Sequence, residues 1–120
     1  MKETFLERAK ENLKIAELAF DNACFNASAN RAYYSAFHAA IAAIYAADII
    51  PNIDHKVIQA LFAENYCNRR KRLPSKFKGY LFELQYYRNN ADYKKGVSKK
   101  DAKQQLKNAK EFVEIILEYI

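Results

Sequence analysis

Turn-forming residues are almost missing from this chain: its 120 residues include 2 glycines and 2 prolines. That scarcity excludes an all-β architecture, which depends on many tight turns. Tryptophan is absent and cysteine numbers 2. Cys24 and Cys67 stand far apart without metal-ligand spacing, so no disulfide framework is indicated. Both read as ordinary buried or half-buried thiols, the residue's usual state, and a pair of thiols suits a reducing cytoplasm. The 2 histidines have no carboxylate at ligand spacing, so no metal site is expected. No run approaches the roughly 20 apolar residues of a membrane span. The best candidate, 39–47, is closed off by His38 and Asp48. Acids among the first residues, Glu3 and Glu7, stand where a secretory signal carries its apolar core. There is no glycine-rich phosphate loop, so a P-loop or Rossmann site is excluded and no cofactor is expected. Neither a Ser-His-Asp nor a Cys-His arrangement is suggested.

What is present is apolar content, 51% of the chain, recurring at helical spacing. One domain over 1–120 with one core fits this length. Phe5, Leu6, Ala9, Leu13, Ala16, Ala19 and Phe20 recur at three- and four-residue steps and predict a first helix over 2–23. Asn26 or Ser28 can cap a second, alanine-rich helix that runs to about Asp48 and is stopped by Pro51. Asn52 or Asp54 can cap a third, carrying Val57, Ile58, Leu61, Phe62 and Tyr66. The basic run 69–72, with Leu73 and Pro74, reads as an exposed loop. A fourth helix begins near Ser75 and holds Phe77, Leu81, Leu84 and Arg88. Ser98 and Asp101 form a variant capping box before a fifth helix that continues to the C-terminus. The expected fold is all-α, an up-and-down antiparallel bundle of about five helices.

The net charge of +6 conceals a segregation. Residues 65–110 hold 14 Lys/Arg against 3 acids, while the remainder holds 6 against 11. Such a pattern fits a surface that meets polyanions or an acidic partner, the alternative being a solvated face that maintains solubility. Arg69, Arg70, Lys71 and Arg72, with Lys76 and Lys78 beyond and Tyr66 and Tyr80 alongside, can lie along an RNA backbone. Lys99, Lys100, Lys103, Lys107 and Lys110 form a second basic stripe.

The segment Asn-Arg-Ala-Tyr-Tyr-Ser-Ala-Phe-His at 30–38 opens the second helix. Arg31 and His38 are separated by close to two turns and so share a face of an otherwise apolar, buried helix, with Tyr34 and Ser35 between them. Asp54-His55-Lys56 opens the third helix, and Tyr87-Arg88-Asn89-Asn90-Ala91-Asp92-Tyr93 falls in the fourth. In order and spacing these three segments resemble HEPN domain proteins, and most closely their small stand-alone archaeal and bacterial branch. The resemblance implies a helical bundle like the C-terminal domain of kanamycin nucleotidyltransferase and, usually, a homodimer. It further implies a minimal nucleotidyltransferase as partner, the two often acting as toxin and antitoxin. Many HEPN proteins are metal-independent ribonucleases. Their signature is an arginine, usually a polar residue, and a histidine four to six positions on, pooled between two protomers.

Arg88 and Asn89 match the start of that signature, but no histidine follows; Asp92 and Tyr93 stand in its place. An ionised aspartate cannot donate a proton at neutral pH and a protonated tyrosine is a poor base, whereas histidine does both. Arg88 can still bind phosphate, and Arg88 and Asp92 are also spaced to pair with one another. If the second and fourth helices lie side by side, Arg31, Tyr34, His38, Arg88 and Asp92 converge, and His38 supplies the missing proton-transfer group. The alternative is a core histidine satisfied by a neighbouring carbonyl or tyrosine. The leading expectation is a toxin-like HEPN protein with a degraded motif that binds RNA or a nucleotide and acts with a nucleotidyltransferase. The alternative is a non-catalytic substrate-binding or regulatory module of such a complex. On the resemblance, Tyr86, Tyr87 and Tyr93 are candidate acceptors for nucleotide transfer by that partner.

Overall fold

The computed structural model describes residues 1–68 and 72–120. Five α-helices, α1 (Lys2–Asp21), α2 (Phe25–Ala46), α3 (His55–Phe62), α4 (Lys76–Tyr93) and α5 (Lys99–Tyr119), account for most of them, and α3 runs on into a π-helical segment, Ala63–Asn68. No strand occurs among the described residues, and none of their helices is long and apolar enough to cross a membrane. The architecture is an all-α bundle.

The near-absence of glycine leaves the chain to turn by other means. Ala23 and Asp48 take the left-handed conformation, with φ of 60° and 61°. In each case the next amide bonds back across the helix end: Cys24 N–H to the Ala19 carbonyl at 2.8 Å and Ile49 N–H to the Ile44 carbonyl at 3.3 Å. These closures satisfy carbonyls that glycine usually helps to cap. They also end α1 two residues before the predicted limit.

Helix α2 is the centre of the bundle and packs against each of the other four helices. Its C-terminal half explains why: Ala39, Ala40, Ile41, Ala42, Ala43 and Ile44 are fully buried. Alanines leave shallow grooves, so backbones approach closely. Ser28 is no cap. It lies inside the helix and bonds the Ala16 carbonyl of α1 at 2.9 Å, because a small hydroxyl fits where the two helices touch. Cys24 takes the cap position without a side-chain capping bond; its thiol instead donates to the Asn22 carbonyl at 3.6 Å. Asn26 instead accepts the Val97 amide at 2.8 Å, fastening α2 to the α4–α5 connection. Gly96 there has φ of 93°, and a Cβ at this position would meet the Asn26 side chain at 3.0 Å.

Asp54 caps α3, accepting from Lys56 N–H at 3.0 Å and Val57 N–H at 3.2 Å. Ser98 caps α5 by accepting from Asp101 N–H at 3.1 Å. Some environments differ from expectation. Cys24 is exposed, since it stands at the corner between the end of α1 and the start of α2, whereas Cys67 is buried. Leu73 is buried rather than part of an exposed loop, and its amide bonds the Tyr66 carbonyl at 2.8 Å.

Candidate phosphate-binding pocket

Helices α2 and α4 lie against one another, and Arg88 spans the seam. Its Nη2 donates to the Tyr34 hydroxyl at 2.8 Å and its Nη1 to Asn89 Oδ1 at 3.2 Å. Its Nε lies 3.1 Å from Asp92 Oδ2, one turn further along α4, and the Arg88 side chain is 14% exposed. Asn30 of α2 donates to the same Asp92 oxygen at 2.9 Å.

Arg31 follows one residue later. Its Nε and Nη2 donate to Asn30 Oδ1, at 2.8 and 2.5 Å, and its Nη1 to Asn12 Oδ1 on α1 at 2.9 Å. Both guanidinium groups also lie by one ring: the Arg31 and Arg88 central carbons are 5.0 and 5.3 Å from the Tyr34 centroid. Arg88 further approaches Tyr93 at 5.7 Å and Tyr33 at 5.9 Å. The ring faces favour cations, which offsets part of the cost of holding two positive groups so close.

The direction of every bond in this chain follows from the arginine. A guanidinium only donates, so Arg31 sets Asn12 and Asn30 with their carbonyl oxygens toward it and their amide nitrogens outward. The Asn30 nitrogen meets Asp92. The Asn12 nitrogen lies 3.2 Å from His38 Nδ1, which is thereby the acceptor, leaving the ring proton on Nε2. Burial, reinforced by Arg8 and Arg31, pushes His38 down to about 4. His55 at the start of α3 shares a hydrogen bond of 2.5 Å with the Tyr33 hydroxyl. Burial and the nearby Arg88 depress its imidazole as well, against the opposite pull of Asp54. Burial raises the Tyr33 phenol, which stays neutral. Both shifts favour the uncharged form of the imidazole.

Of the residues singled out from sequence, Arg31, Tyr34, Arg88, Asn89 and Asp92 share this pocket. Tyr93 is exposed at its edge. His38 stands behind Asn12, its ring 6.2 Å from Tyr34, and has no bond to Arg88 or Asp92 among the described residues. Arg69, Arg70 and Lys71 lie outside those residues. Arg72 is exposed, its guanidinium 5.8 Å from the Tyr66 ring. The expected stacking rings beside the basic run are otherwise engaged: Tyr66 is buried and donates to the Ala43 carbonyl, and Tyr80 donates to Glu111 at 3.1 Å. Glu111 also neutralises Lys76 at 2.6 Å. Sequence reasoning gave no role to Asn12, held Tyr33 only as a member of the 30–38 motif, and read His55 as a helix-start residue near the surface, whereas it is half-buried. Asn30 was visible as the first residue of the motif; Asn12, alone on α1, carried no signal.

A family model for the HEPN domain matches residues 2–119. The chain belongs to the HEPN family. It is similar to the UPF0332 protein glr0978 of Gloeobacter violaceus, with 26% identity over 118 residues, covering 96% of this chain and 92% of the relative. The arginine-led motif of α4 thus sits, in this HEPN chain, against the Asn30–Arg31 segment of α2.

Proposed function

We propose that this HEPN protein binds the phosphate of RNA or of a nucleotide at Arg31 and Arg88 and does so without efficient turnover. The observation that carries the reading is the state of Arg31. Its guanidinium is half-buried, bonds only the amide oxygens of Asn12 and Asn30, and has no carboxylate within ion-pair distance among the described residues. The three bonds use three of the five N–H groups of the fork. The rest remain for an anion, and a planar fork matches two phosphate oxygens at once. The missing motif histidine and the two imidazoles shifted toward their uncharged form support capture over cleavage, because metal-free cleavage of RNA requires a proton donor for the leaving oxygen.

In family terms the protein acts in this reading as a homodimer and as the toxin-like half of a pair with a minimal nucleotidyltransferase. Calorimetric titration with UMP tests the core of the proposal. Arg31→Ala and Arg88→Ala should each weaken binding about tenfold or more, the loss of a charge-assisted pair. Wild-type affinity in both variants, with helicity intact by circular dichroism, overturns it.

A further inference from the structure

Helices α3 and α4 diverge to leave an open groove of about 520 Å³ that no part of the proposed phosphate site uses. Its surface is mostly apolar, with Leu81 in the floor and Phe82 on the lip. Lys56 and Lys78 stand at its sides, and no carboxylate is among the described residues that line it. Phe82 is 68% exposed and Tyr86, one turn on, 56%. Gly79 faces this open space: a Cβ there would have nothing within 4 Å. A flat apolar body carrying negative charge at its edge suits such a surface. Exposed aromatic rings between lysines are the arrangement on which bases of a single strand stack while the ammonium groups take its phosphates.

Side chains of α3 and α4 link the groove to the phosphate site. Gln59 lines it and donates to Gln85 on α4. His55, which bonds Tyr33 beside Arg88, precedes Gln59 by one turn of α3. Along α4, Phe82 and Arg88 are separated by about 9 Å of helix rise, with Tyr86 between. The Gln59–Gln85 amides offer donors and acceptors to a base edge at the junction.

We propose that this groove is a base-stacking subsite for the nucleotides adjoining the phosphate held at Arg31 and Arg88, so that the ligand is a single strand rather than a free mononucleotide. The inference rests on the phosphate-binding reading above and adds the class of ligand. The test is a calorimetric comparison of UMP with an unlabelled oligouridylate about six nucleotides long. Wild-type protein should bind the oligonucleotide at least about tenfold more tightly than UMP, the gain expected from stacking. Gly79→Leu fills the groove while improving helix propensity, and Phe82→Ala removes the ring; each should abolish most of the gain and leave UMP affinity unchanged. Gly79→Ala, which adds one methyl to open space, should retain it.

Equal affinity of wild type for both ligands, or an undiminished gain in Gly79→Leu and Phe82→Ala, overturns the subsite and leaves the phosphate site standing. Loss of self-association in Gly79→Leu by sedimentation, with the oligonucleotide gain intact, makes the groove a contact between copies and likewise overturns it. Unaltered UMP binding in Arg31→Ala and Arg88→Ala removes the reading on which it rests.

Discussion

A guanidinium gives hydrogen bonds and never receives them, and around Arg31 that asymmetry decides the orientation of two amides and the tautomer of an imidazole. His38 is the residue with the most direct consequence for pH. Its folded-state value near 4 lies below the unfolded value of about 6.5, so the unfolded chain takes up a proton first as pH falls. Stability contributed by the neutral ring is thus complete above about pH 6.5 and is lost on descent toward 4. Asparagine at this position retains an acceptor for the Asn12 amide but does not titrate. Thermal melts of His38→Asn between pH 7 and 4.5 should consequently fall less steeply than those of wild type. Parallel curves would show that His38 is not the group responsible. The spacing of Arg31 and His38 was readable at the sequence level because both lie on one helix. Their link through Asn12 was not, since 19 residues separate Asn12 from Arg31 and the bond forms only when α1 packs on α2.

At the scale of elements, the short helix α3 has the most exposed dependence on a single side chain. It is eight residues long, below the length at which isolated helices persist, and Asp54 satisfies two of its first amides. Asp54→Ala should cost about 1 kcal/mol, measurable as a lower urea midpoint at unchanged slope. An unshifted midpoint would mean that packing alone holds α3. The helices themselves were legible from three- and four-residue periodicity and from the caps at Asp54 and Ser98. Two readings failed for one physical reason, that a local pattern does not say what lies across from it. Ser28 resembles a cap but meets α1, and Tyr66 resembles a flank of the basic loop but is enclosed by the core. Helix α4 was hardest to interpret, because it buries part of Arg88 while exposing Phe82 and Tyr86, the reverse of what hydropathy alone suggests.

At the scale of the molecule, positive charge is concentrated in residues 65–110, yet part of it is already spent internally, as Lys76 is on Glu111. What counts for a polyanion is the smaller set of cations that lack a carboxylate, stand beside the groove or, like Arg88 with its Asp92 partner, belong to the candidate phosphate site. If Arg31, Arg88, Lys56 and Lys78 are the phosphate contacts, oligonucleotide affinity should fall with salt at a log–log slope of about −3, at about −0.7 per contact. A slope near zero would assign the basic segment to solubility. The bonds running from Asp92 through Asn30 and Arg31 to Asn12 also have an effect that reaches past their own length. Asp92→Ala would remove the acceptor to which Asn30 donates, and Asn30 is half of what steadies the Arg31 fork. An acid on the fourth helix thereby governs the pose of an amide on the first, with which it shares no bond: long-range order assembled entirely from nearest neighbours.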